Sequence, residues 1–511
     1  MSFFLVLSII LGIILFIVCI LYWKLVRQQK YLYYQFYRQN VPCEPFIPLF
    51  GQLSDIRRAN KNDRSMDYRL ELVEKHGYTY VISFGPSIIL IVMEPDMLAD
   101  VFGRSHAQDY KKSSDSVDFL KPLIGVHNLL LSDGAEHERA RKMLNPAFHF
   151  VKLQSMFPII VEQTNKAIDA LLQLSTTRPV IDFQAEFNDI TLTIIASSAF
   201  GKDFETMTDS KRIVRQAFVE LLNVIGYRTL RMIDDIPIIS QLPFWGKKIM
   251  DKSSKDISDF VDRIIVDRRQ NRSQSLSSYD DILDLLLSAV DAEGSPFSPQ
   301  EIKDQALTFV LAGHETTSNL MTWIFYVLMT NEQLLQTCRE EVDQVLPSGT
   351  TPTFEDMGKL IVCEAIIQEA LRLYPPATFI TRECIREHSI GSEGQRQIRI
   401  PVGAVVSVNT YILHRREEFW PRPNEFDYTR WLRDPTTDLK PKLTHPFCYL
   451  PFGAGSRNCI GQNFALIEAK VILSMILQRC NFQLEPGQKI VPDIRLTMKP
   501  KYGLRAKLTK R

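Results

Sequence analysis

The densest chemical signal in the chain is Phe452-Gly453-Ala454-Gly455-Ser456-Arg457-Asn458-Cys459-Ile460-Gly461. Its fixed positions, Phe-x-x-Gly-x-Arg-x-Cys-x-Gly, would coincide by chance in about one chain in ten thousand of this length if residues were equally common. The glycines let the backbone turn tightly and bring amide donors close to a sulfur, while Arg457 adds positive charge; both favour thiolate over thiol. A helix predicted to start at Gly461, with Phe464, Ala465 and Leu466 in its first turns, would lower the thiol pKa further. It is the thiolate that ligates a metal, so Cys459 is the candidate metal ligand.

A second group is Ala312-Gly313-His314-Glu315-Thr316-Thr317-Ser318, inside a long predicted helix. Gly313 costs roughly 1 kcal/mol against Ala in a helix interior, and its missing side chain would leave room for a small ligand against the backbone. The Thr316 hydroxyl can return to the Ala312 carbonyl and loosen the helix there. Glu315 lies about 100° of helix away from Thr316, so the two face different spots. A third group, Glu369-Ala370-Leu371-Arg372, puts opposite charges at i and i+3 before Pro375-Pro376 stops the helix. Alone, such a pair is common and worth little.

Together these motifs, in this order, resemble the cytochrome P450 superfamily of haem-thiolate monooxygenases, microsomal eukaryotic type, over about residues 40–505. The resemblance implies haem b (iron protoporphyrin IX) ligated by Cys459, with the motif's Phe452 beside the cofactor. It implies a groove at Ala312 and Gly313 over the iron, with Glu315 and Thr316 relaying protons to dioxygen. Phe426-Asp427-Tyr428-Thr429-Arg430-Trp431 is similar to a later segment of the family, which implies a structural Glu369–Arg372–Arg430 network. Family members carry Trp-x-x-x-Arg in an early helix for a haem propionate; here Arg141 matches, and His137 stands where the Trp would be. Arg382 and Arg457 resemble the further propionate-binding arginines. The pocket would draw on Phe119, Leu123, Phe218, Leu222, Phe309, Phe379, Ile380 and the turn near Pro486–Ile490, an apolar set suited to fatty acids, sterols, other lipids or xenobiotics. No G-x-G-x-x-G follows a strand, so electrons are expected from NADPH through a separate cytochrome P450 reductase, with cytochrome b5 as a further partner. Lys142 and Lys470 are candidates for that docking face. A peroxide isomerase or dehydratase of the same family, or a non-catalytic haem sensor, is the alternative.

These residues need a scaffold. Ser298, Pro299 and Glu301 form a capping box with proline at the first helical position, opening a helix of about 33 residues to Asn331. Its middle is apolar on all sides, so it should cross the interior. Residues 78–93, around Gly85-Pro86-Ser87, and 396–408, around Pro401 and Gly403, each read as a sheet hairpin. Helical spacing dominates between 135 and 375, and Ser273–Ser278 reads as a surface loop. The expected fold is mainly α with a minor β region.

From Phe3 to Trp23 no residue is charged, enough to cross a hydrocarbon core of about 30 Å. Lys24, Arg27 and Lys30 follow, which leaves the rest of the chain on the cytosolic side. The expected organisation is an anchor at 1–24, a basic, Pro-rich linker at 25–50 and a haem domain at 51–511, tethered as a single-pass protein to the endoplasmic reticulum membrane. Leu242-Pro243-Phe244-Trp245-Gly246, flanked by Lys247 and Lys248, is similar to the loop that dips into the bilayer in microsomal relatives. Sixty Lys+Arg against 59 Asp+Glu give a net charge of +1, which provides no footprint for nucleic acid. The eight cysteines show no CxxC pair, fitting a reducing compartment.

Overall fold

The protein, seen in a computed structural model, is described at residues 3–113, 118–206, 216–229, 240–271, 281–392, 394, 396–437, 439–494 and 496–511. The Ser273–Ser278 stretch lies outside the described residues. The chain divides into two units, Met1–Ser116 with Phe379–Leu413, and Val117–Thr378 with His414–Arg511.

The first unit begins with α1 (Phe3–Tyr22), an uncharged helix with exposed apolar side chains such as Leu11, Leu15 and Phe16. Among the described residues no helix is long and apolar enough to cross a membrane. Within the stretch expected as a linker, Gln28–Tyr37 forms α2, whose Leu32 and Phe36 are fully buried. A five-stranded sheet follows from β1 (Thr79–Phe84), β2 (Ser87–Val92), β3 (Tyr110–Lys111), β4 (Phe379–Cys384) and a strand at Val405–Asn409. The first hairpin is as expected: Phe84 pairs with Ser87 across Gly85-Pro86, and Gly85 has φ +58°. The second is not a hairpin. Ile398–Ile400 pairs with His388–Ile390, whereas Val405–Asn409 inserts between β2, in parallel, and β4, antiparallel. Both edges of Val405–Asn409 are therefore occupied, which leaves Ile398–Ile400 no edge to pair with; Gly403, at φ +86°, turns the chain from one sheet into the other.

The second unit is mostly helical around one apolar core. Its framework includes α3 (Gly134–Leu144), α4 (Phe183–Thr206), α5 (Pro299–Thr330), α6 (Ile361–Leu373) and α7 (Gln462–Arg479), with a three-stranded sheet of Ile181–Asp182, Arg505–Lys510 and Cys480–Leu484. The 32-residue α5 starts on the expected capping box: Ser298 Oγ accepts from Glu301 N, and the Glu301 carboxylate accepts from Ser298 N. Leu307–Leu311 and Thr317–Phe325 are buried on every side, as an all-round apolar helix requires. α5 packs on α4, α6 and α7 and is thus the spine of this unit.

Candidate haem-thiolate site

In the cysteine loop, Gly453 and Gly455 both sit at φ +70°, where a side chain would be strained. The turn closes when Cys459 N donates to Phe452 O at 2.8 Å, with Phe452 packed against the core. Helix α7 begins at Gln462, with Gly461 as its N-cap. Cys459 is exposed, whereas Cys338, Cys363, Cys384, Cys448 and Cys480 are buried.

Two expectations about this sulfur change. The nearby positive charge comes from Arg141 on α3, not from Arg457. Arg141 donates from Nη1 to Asn458 O at 2.7 Å and from Nη2 to Asn458 Oδ1 at 2.8 Å, clamping the residue next to the cysteine. Arg457 instead donates to Ser132 O at 3.0 Å and pairs with Asp133. Nor does the loop by itself favour thiolate: burial pushes the Cys459 thiol above its ordinary value, and the Gly461 amide and Arg141 only partly offset it. Desolvation disfavours the charged sulfur, and a bound metal would favour it.

The α5 motif presents a matching surface. Within the stretch Asp304–Phe325, otherwise buried, Ala312 is exposed and Gly313 and Thr316 are half-buried, while His314, Glu315 and Thr317 are buried. Ala312 and Thr316 share a face at i, i+4. Thr316 Oγ1 donates to Ala312 O at 2.7 Å, as expected. Gly313 has a different reason from the one expected. A Cβ there would lie 2.8 Å from Ile195 Cγ1, so glycine permits close approach of α4 and does not clear space for a ligand. Glu315 points away from the accessible face: its Oε1 accepts from Thr497 Oγ1 at 2.7 Å, and its carbonyl accepts from Asn319 Nδ2 at 2.9 Å. No sequence motif marked Thr497, because its contact with Glu315 joins segments distant in the chain. His314 is buried beside Thr191, its Nδ1 3.3 Å from Thr191 Oγ1, and burial lowers its pKa.

His137 lies buried on α3, one turn before Arg141. Arg382 belongs to the first unit; on β4 its Nη1 donates to Thr381 O at 2.8 Å and its guanidinium covers the Phe102 ring. Lys142 is exposed, but Lys470 is not a docking lysine: it is buried, donating to Met357 O at 2.8 Å and to Glu364 Oε2 at 2.7 Å.

The Glu369–Arg372–Arg430 network is present. Arg372 Nε and Nη2 donate to Glu369 at 2.9 and 2.8 Å, and Arg430 Nε stands 3.4 Å from Glu369 Oε1. Glu369 also accepts from Asp427 N and Trp431 Nε1. With Arg372, which donates to Pro423 O and Glu425 O, it holds residues 423–431, the meander that leads to the cysteine loop.

A family model described as Cytochrome P450 matches residues 41–507. The chain belongs to the cytochrome P450 family. It is therefore an oxidoreductase of the monooxygenase class, and the family implies haem. The human protein "Cytochrome P450 4X1" is 29% identical over 458 residues, covering 88% of this chain and 87% of that protein. The "11-oxo-beta-amyrin 30-oxidase" of Glycyrrhiza uralensis is 30% identical, covering 85% and 81%. A solved structure described as "Retinoic acid bound cyanobacterial CYP120A1" shares the fold at a TM-score of 0.76 and 22% identity, over 92% of this chain and 99% of that one.

The residues present fit haem. Among the described residues no cluster of three or more His, Cys, Asp or Glu side chains could hold a bare ion. A lone, accessible Cys459 thus suits an iron whose other ligands come from a macrocycle.

Proposed function

We propose that this P450 inserts one oxygen atom of O2 into an apolar substrate (a lipid, sterol, fatty acid or xenobiotic) using electrons from NADPH delivered by a separate reductase, with cytochrome b5 as an accessory donor. The observation that carries this reading is the accessible face of Ala312, Gly313 and Thr316 in the middle of α5, where the rest of Asp304–Phe325 is buried. When bound, the haem supplies the oxidising chemistry, and the protein supplies the thiolate, protons and a dry, shaped pocket.

Cys459 is the iron ligand in this reading. Arg141 fixes Asn458 beside it, and Arg457 and His137 serve the propionate side. Phe452 packs next to the ring; Ala312 and the backbone at Gly313 form the surface facing it. Thr316 offers its hydroxyl at the accessible face, the place where protons are needed in a site that otherwise excludes water. Glu315, held by Thr497, supports it from behind through water.

The protein is read as a single-pass protein of the endoplasmic reticulum with its catalytic part in the cytosol. Its organisation is an anchor at 1–24, a short connecting stretch at 25–50 and a haem domain at 51–511. The anchor reading rests on the sequence, an uncharged run from Phe3 to Trp23 followed by Lys24, Arg27 and Lys30. Exposed Phe244 and Trp245 beside Lys247 and Lys248 support a second membrane contact. The test is NADPH consumption with added reductase across a lipid library, with oxidised products identified. Substrate-dependent consumption and a hydroxylated product support the reading; peroxide rearrangement without NADPH, or haem binding without turnover, contradicts it.

A further inference from the structure

Between the short helix Lys121–Ile124 and α3, residues Gly125–Asp133 run without helix or strand. Their backbone amides are taken largely by side chains. Asp304 Oδ2 accepts from Val126 N at 2.9 Å and His127 N at 2.8 Å, and Gln305 Oε1 accepts from Leu129 N at 3.0 Å. Fully buried Asn128 accepts from Leu130 N and Leu131 N and donates to Ile124 O. At the far end, Ser132 O and the Asp133 carboxylate hold Arg457.

Both anchors on α5 are interior groups: Asp304 and Gln305 are each 1% exposed, and Asp304 Oδ1 also accepts from Gln300 Nε2 at 2.7 Å. Gly125 has φ +70°, and a Cβ there would overlap the Asp304 carboxylate, so the chain lies directly on α5. Gly134, at φ +55° with open space around it, turns the chain into α3 at the other end.

We propose that Gly125–Asp133 is a strap tying α5 to the cysteine loop and controlling retention of the haem, with Asp304 and Gln305 as its positioning residues. The proposal rests on the haem-thiolate reading of the site. Asp304 stands about two turns before Ala312 on α5, and Arg457 stands two residues before Cys459. The strap is therefore bonded on one side to the helix carrying the accessible face and on the other to the loop carrying the iron ligand. Releasing it from α5 frees those two walls to separate, which is the opening the haem needs to leave.

The test uses full-length haem-loaded protein in mild detergent. Haem transfer to excess apomyoglobin gives the release rate, and hydrogen exchange is followed at the amides of Val126, His127 and Leu129. Asp304→Ala removes the acceptor of the Val126 and His127 amides and Gln305→Leu that of the buried Leu129 amide, and each is expected to speed haem release about tenfold or more. The three amides should exchange faster while those of residues 423–431 exchange as in the parent. Asp304→Asn keeps one acceptor oxygen and should fall between; with Gln305→Leu it carries the test if Asp304→Ala does not fold. Unchanged haem release in variants whose strap amides exchange faster overturns the proposal, as does faster exchange everywhere. Failure of the parent protein to take up haem overturns the site reading instead, and the exchange data still report whether the strap is fixed by α5.

Discussion

Replacing Arg372 with Lys tests whether the buried ion pair holds the meander before the cysteine loop. All five guanidinium N–H groups are used: two to Glu369, two from Nη1 to His414 O and Pro423 O, and one from Nη2 to Glu425 O. Arg372 and Glu369 are both fully buried. Lysine keeps the charge but has three donors at one point, so at least two of the five bonds go unmade. At about 1.5–3 kcal/mol for a bond to a charged group, the loss is about 3–6 kcal/mol. Against a typical total of about 5–15 kcal/mol, that is enough to release the meander. Urea unfolding followed by tryptophan fluorescence is a direct assay, because Trp420 lies under the Arg372 guanidinium and Trp431 donates to Glu369. The meander signal should be lost at lower urea than in the parent. A destabilisation below about 1 kcal/mol would refute the reasoning, since it would mean these bonds are replaced at little cost.

Thr316→Ala should keep haem binding and substrate affinity but divert reducing equivalents into peroxide, read as product formed per NADPH consumed; unchanged coupling would assign the proton relay to water or Thr317. His414 Nε2 accepts from Leu450 N, and burial, together with the Arg372 charge, holds its pKa down to about 3. Its folded pKa is below the unfolded value of about 6.5, so its contribution is complete above that pH and is lost as pH falls from there toward about 3, by about 1.4 kcal/mol per unit. Urea midpoints of the parent between pH 7 and 5 should therefore fall more steeply than those of His414→Gln, and parallel slopes would contradict this assignment. Deleting residues 1–24 should weaken membrane association and leave haem incorporation intact; a truncated protein that cannot bind haem in mild detergent would place the domain boundary elsewhere.

What could be read from the chain was local or carried by a dense motif. The capping box of α5, the Gly85-Pro86 turn and the Thr316 back-bond each involve residues within four positions of one another, so spacing alone specifies them. The Glu369–Arg372–Arg430 network was legible only through family resemblance, since Arg430 is remote in sequence. The misreadings all concern which distant group fills a space. Gly313 answers to Ile195, Lys470 to Glu364, Arg457 to Asp133, and Ile398–Ile400 to a strand other than the nearest one. In each case the residue type limited the options and tertiary packing chose among them. The Cys459 environment shows the same limit: the motif offers Arg457, whereas the fold brings Arg141 to the sulfur and buries it enough that the thiol is favoured.

The central claim is that Cys459 is the thiolate ligand of a haem iron. Its most direct test is the absorption spectrum of the reduced, carbon monoxide-treated protein, compared between the parent and Cys459→Ser. The parent should show the red-shifted band of a thiolate-ligated haem, and Cys459→Ser should lose that band together with nearly all activity. Persistence of the band in Cys459→Ser, or its absence from haem-loaded parent protein, would contradict the account.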